Sequence, residues 1–194
     1  MGRTSISGLI ILLLITTTAL SCAKPPTAEI DAAVAAVAKA EANPDAVEYA
    51  NVSINRAKEA LSRMQTELAA KNYEAVKAIS QEVIQAAEKA ISDGAAAKAR
   101  ARDEATALIT SLRSLLAEAE QALAAARAVK GIVFDDAAAE RDIRQAAGNI
   151  ASAGTDLTAG NFRAVMTKGQ AARSVLGSVQ QRIAVAVQAA SRKK

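Results

Sequence analysis

Few side chains in this 194-residue chain are equipped for covalent or acid–base chemistry: there is one cysteine, Cys22, and no histidine. Without imidazole the commonest general base is missing, and a lone thiol has no histidine to activate it as a nucleophile. Zinc sites built from Cys and His are excluded on the same ground. Carboxylates alone suit hard cations, and the densest group of them is Asp135-Asp136 with Glu140. Calcium takes such oxygens, but acids gathered at a helix N-terminus, facing the positive end of the helix dipole, explain the cluster better. Neither a phosphate-binding glycine loop nor a dinucleotide fingerprint occurs. The expectation is a protein that is not an enzyme, with no catalytic residues, no metal and no cofactor. With no second cysteine, a disulfide within the chain is excluded.

The surroundings of Cys22 give it a different chemistry. Arg3 supplies a positive start, residues 9–15 an unbroken apolar run, and Ala19-Leu20-Ser21-Cys22 a small-residue cleavage site with a thiol as the first mature residue. A membrane-spanning helix needs about 20 apolar residues, whereas this run breaks at Thr16-Thr17-Thr18. A buried structural cysteine is disfavoured because Lys24-Pro25-Pro26 follows and cannot carry a helix into a core. An ordinary secretory signal with an incidental cysteine stays open beside these. The arrangement as a whole resembles a bacterial lipoprotein signal. That resemblance implies cleavage after Ser21, diacylglyceryl attachment to the Cys22 sulfur and acylation of the new amino group. Two or more acyl chains would make the anchor stable, since one alone binds only marginally.

Composition sets the class of the remainder. The chain is 51% apolar but only 2% aromatic, lacks Trp, and is dominated by Ala. Ala is the best helix former, and Gly and Pro are scarce beyond Pro44, so an all-α protein follows. Each buried Ala removes little area from water, so stability must come from many close, repeated helix contacts. Charge is uneven along the chain. Residues 27–94 carry 11 acidic and 7 basic side chains, a net of −4; residues 95–194 carry 15 basic and 9 acidic, a net of +6. The basic half suits an anionic surface such as phospholipid headgroups or an acidic polymer, although a solvated helix face accounts for such an excess more often. Nucleic acid is a poor partner for a chain with almost no aromatic side chains to stack on bases.

An internal repeat organises the elements. Asn72-Tyr73-Glu74-Ala75-Val76 matches Asn161-Phe162-Arg163-Ala164-Val165 at an offset of 89 residues, which also pairs Ile54 with Ile143, Ala57 with Ala146, Leu61 with Ile150 and Ala33 with Ala122. Apolar residues step by three and four along Val47, Ala50, Ile54, Ala57, Leu61, Met64 and Leu68, predicting a helix over residues 45–70 with one seam toward a partner. A second such seam follows from Val76 to Ala90, and the other copy repeats the pattern from Ala139 to Leu157. Lys71-Asn72 and Gly160-Asn161 are the predicted turns, each Asn an N-cap and Gly160 free to take positive φ, which Lys71 does only at a cost. Tyr73 and Phe162 then plug the ends of the helix pairs, a role that suits them better than ligand binding. A long helix over about 73–129, straight or kinked at Gly94, joins the copies, and a break at Lys130-Gly131 precedes Asp135 and Asp136 as caps.

The Tyr49-Ala50 and Asn72-Tyr73 positions with Ala75, and again Gly160-Asn161-Phe162 with Ala164, resemble the alanine-rich, function-unknown helical domain of bacterial envelope lipoproteins, sometimes fused to an OmpA-like peptidoglycan-binding module. The terminal Ser191-Arg192-Lys193-Lys194 resembles the basic tail of the murein lipoprotein, which would make Lys194 an acceptor amine for peptidoglycan; a basic end complementing the helix dipole is the simpler account. The expected organisation is a signal peptide over 1–21, an acylated Cys22 with a tether to residue 26, a helical unit over 27–94 and a second over 95–194. The expected fold is an elongated, antiparallel, coiled-coil-like bundle of two tandem copies. The expected function is a lipid-anchored scaffold or spacer of the bacterial envelope, at the outer membrane facing the periplasm, with an envelope protein, peptidoglycan or a second copy as partner. The alternative is an amphipathic-helix carrier or chaperone for lipid or unfolded clients.

Overall fold

The computed structural model describes residues 24–192. Cys22, the Ser21 cleavage position and Lys194 lie outside the described residues. Within them the chain is all helix and turn: α1 (Thr27–Ala42), α2 (Pro44–Tyr49), α3 (Asn51–Ala69), α4 (Tyr73–Arg127), α5 (Asp136–Ala159) and α6 (Phe162–Ser191). No strand occurs among the described residues. The long connecting helix is α4, 55 residues that run through Gly94 without a break. No helix among the described residues is long and apolar enough to cross a membrane.

Two compact units divide the chain, Met1–Asn43 with Asn51–Ala90 and Pro44–Ala50 with Ile91–Lys194. In the first, α1 buries Ala33, Val37 and Ala40, α3 buries Ile54, Ala57, Ala60 and Met64, and α4 buries Val76, Val83, Ala87 and Ala90. Ser80 is the buried polar side chain of this unit; its hydroxyl donates to the Val76 carbonyl at 2.7 Å and sits 3.1 Å from Met64 Sδ. That bond back along the helix satisfies the hydroxyl and lets it pass as a small core residue. In the second unit, Leu108, Leu112 and Leu123 of α4 pack with Ile143 and Ile150 of α5 and with Leu176 and Ile183 of α6. No buried side-chain nitrogen or oxygen among the described residues lacks a hydrogen-bond partner.

The three- and four-residue stepping therefore locates the interior, with local corrections. The expected helix over 45–70 is two helices, because Ala50 falls outside both α2 and α3 and the residues before and after it belong to different units. With that break the register shifts: Ala46 is buried while Val47 is 46% exposed, and Ala60 is buried where Leu61 is only half-buried. In α4 it is Ala87 rather than Ala86 that is fully enclosed. In α5 Ala139, Ile143, Ala146, Ile150 and Ala153 are all buried.

Both hairpin turns have the same backbone construction. Lys71 and Gly160 take the left-handed conformation, at φ 60° and 81°. The Lys71 amide donates to the Leu68 carbonyl at 3.0 Å and Asn72 to Glu67 at 2.9 Å; Gly160 donates to Leu157 at 3.2 Å and Asn161 to Asp156 at 2.9 Å. These paired bonds satisfy the last carbonyls of α3 and α5, the signature of a Schellman stop. The expected asparagine caps differ from each other. Asn72 Oδ1 accepts from the Ala75 amide at 3.5 Å, a long contact, and Asn161 makes no side-chain cap bond. Asn72 instead donates from Nδ2 to Glu67 at 2.8 Å.

Candidate functional site

The acidic group singled out by sequence is a closed corner of the second unit. Asp135 caps α5, its Oδ1 accepting from the Ala138 amide at 2.8 Å. Arg127, at the end of α4, donates from Nε to Asp136 at 2.8 Å and from Nη2 to Glu140 at 2.7 Å. Arg144 pairs with the other Glu140 oxygen. Hydrogen bonds from Arg127 and then Arg144 hold the Glu140 carboxyl below its ordinary value, and the bonds to Glu140 and Asp136 raise Arg127. Two guanidinium groups thus occupy the oxygens that a cation would need. Among the described residues no cluster of His, Cys, Asp and Glu is placed to hold a metal ion. These groups are exposed or half-buried, so the corner fixes the α4–α5 connection without adding much stability.

The two aromatic residues at the turns sit in different settings. Phe162 is buried with Ala105, Ile109, Ala153 and Val165, and Tyr49 packs against this cluster from α2. Tyr73 is half-buried at the start of α4. Burial, followed by a hydrogen bond with Glu48, pushes the Tyr49 phenol up. Periodicity did not reveal how α2 is fastened to the second unit. Lys98 pairs with Asp45 at 2.7 Å, and Arg163 donates to the Glu48 carbonyl at 2.8 Å. A Cβ added to Gly94 would lie 2.6 Å from the Cα and N of Ala46, so the glycine marks a close approach of α2 to α4.

Two concave surfaces of the second unit lie on either side of the last turns of α6. One is a cleft of about 450 Å³ bounded by Val133, Phe134 and Ala139 opposite Ala186 and Ala189. The other, about 750 Å³, runs between Ala122, Ala126 and Val129 of the α4 end and Ile183 and Val187 of α6. Gln181 and Val185 line both, so they form the ridge between them. Val133 is 83% exposed and Val185 60%. Such surfaces suit apolar groups, and their lining residues bring together no acid, base and nucleophile. Sequence reading missed these clefts because their lining residues have the same types and spacing as the buried seam. A usable signal was the loss of acids: after Asp156 the chain carries seven cationic side chains and no carboxylate side chain.

No curated protein and no solved structure matches the chain. Residues 28–106, which take in α1 to α3 and the first part of α4, match the family model described as a domain of unknown function, DUF4398.

Proposed function

We propose that this chain is a lipid-anchored, non-catalytic scaffold or spacer of the bacterial cell envelope, held at the outer membrane facing the periplasm and binding other envelope components through its helix faces. The observation that carries the reading is the place of Cys22. It closes a charged start and an apolar run, and α1 begins five residues later at Thr27, so only a short tether separates the thiol from the first helix. The match of residues 28–106 to a domain of unknown function agrees with a helical module in that position. Filled interiors favour a scaffold over a carrier that opens its seam, since Met64, Leu112 and Leu176, among the largest seam side chains, are fully buried.

The test is mass spectrometry of the N-terminal peptide from membrane-extracted protein. The expected product begins at Cys22, carries a diacylglyceryl group on sulfur and an acyl group on nitrogen, and lacks residues 1–21. A chain that begins at Met1, or at an unmodified Cys22, would contradict the reading. Linkage of Lys194 to peptidoglycan is a separate part of the proposal, checked by whether muramidase digestion releases protein-bound muropeptide.

A further inference from the structure

The end of α6 combines exposed apolar groups with unbalanced positive charge. Val133 and Val185 stand out from the surface beside the two clefts, and removing such groups from water is favourable wherever an apolar phase can receive them. Lys130, next to the cleft residue Val129, and Arg192, one turn beyond Gln188 and Ala189, are exposed and form no ion pair among the described residues. Arg182, which lines the first cleft, pairs with Asp142. The one carboxylate lining the clefts is Asp135, and it is engaged at the Ala138 amide. Lys193 and Lys194 follow in sequence, and no acid occurs beyond Asp156.

We propose that this end of the second unit docks on an anionic phospholipid surface, with Val133 and Val185 entering the boundary between headgroups and acyl chains and Lys130 and Arg192 facing the phosphates. Apolar burial and attraction between cations and anionic lipid are the two terms that set interfacial binding, and groups for both occur at this end of the second unit. A second protein copy is a poorer occupant, because it would bring the same excess of cations to the contact. The contact goes beyond the anchoring reading and is independent of acylation at Cys22, because it is made by residues at the far end of the sequence.

Flotation of the chain beginning at residue 22, with Cys22→Ser to exclude acylation and all six helices intact, separates the possibilities. Vesicles of phosphatidylglycerol and phosphatidylcholine should carry it upward, and vesicles of phosphatidylcholine alone should not. The double variant Val133→Asp, Val185→Asp should reduce binding about tenfold, since it removes the apolar insertion and adds repulsion. Both positions are exposed, so circular dichroism should report an unchanged fold. The control pair Val34→Asp, Val52→Asp, exposed apolar positions of the first unit, should bind like the parent. No flotation with anionic vesicles, binding unchanged in the first pair, or equal loss in the control pair would overturn the proposal. So would a dimer abolished by the first pair in a protein that does not float, which would assign the face to a second copy. An unmodified Cys22 in cells would sink the anchoring reading and leave this result standing.

Discussion

Where α3 meets α4 in the first unit, Met64 and Ser80 fill the interior side by side; 89 residues later the same places in α5 and α6 are held by Ala153 and Gly169. The second unit recovers the missing volume from a third direction. A Cβ on Gly169 would lie 2.5 Å from Leu108 Cδ2 and 3.2 Å from Leu112 Cδ1, so those leucines of α4 fill the space in front of the glycine. The small residues Ala153 and Gly169 thus leave room for side chains that reach across from α4. Interiors packed to crystal-like density force such exchanges, because a void or an overlap of a single methyl group is felt.

Substitutions at these contacts distinguish the two units. Met64→Ala should have the largest effect, a loss of about 3 kcal/mol in denaturant unfolding, because Met64 is fully buried and its truncation leaves a cavity. A loss well under 1 kcal/mol would mean that this crossing is not the packed contact described. Gly94→Ala comes next, at about 2 kcal/mol, since the added Cβ meets the backbone of Ala46, which moves only with α2. Gly169→Ala should cost about half as much, because its nearest neighbour is the far end of the Leu108 side chain. Equal losses at the two glycines, read as equal shifts in unfolding midpoint, would remove the distinction between backbone and side-chain contact.

Smaller effects test the turns. Lys71→Gly should raise stability by about 0.5–1 kcal/mol by relieving a non-glycine residue at positive φ, and Gly160→Lys should lower it by about 1 kcal/mol. A loss on Lys71→Gly would show that the two stops are not equivalent despite their matching hydrogen bonds. The smallest effect belongs to the corner at Glu140. Its carboxyl is held below the ordinary value by Arg127 and Arg144, so its contribution is complete above that value and is lost as pH falls through the lowered one. The difference in Tm between Glu140→Gln and the parent should therefore be visible near neutrality and close on acidification. A gap that persists at low pH would assign it to packing.

Much of this fold is legible in the sequence because it is local. The spacing of Ile143, Ala146, Ile150 and Ala153 marks a buried stripe, and Gly160 followed by Asn161 marks a stop, since both follow from 3.6 residues per turn and from the steric freedom of glycine. The allegiance of α2 is different. It depends on Lys98 reaching Asp45 and Arg163 reaching Glu48 across 53 and 115 residues of chain, pairings that no periodicity encodes. Gly94 suggests a kink by composition, and only its distance to Ala46 reveals a close approach. At the candidate site, Cys22 stands out as a residue type in context. Val133 and Val185 do not, because an exposed valine and a seam valine read alike until burial is known.

We propose that covalent lipid at Cys22, more than any helix face, holds the protein at the membrane. Cell membranes washed at high salt test it most directly, with the parent and Cys22→Ser compared by immunoblot of pellet and supernatant. If Cys22 is acylated, the parent should stay in the pellet while the Cys22→Ser chain, left with charge-dependent contacts alone, is released. Equal retention of both chains after the wash would contradict it.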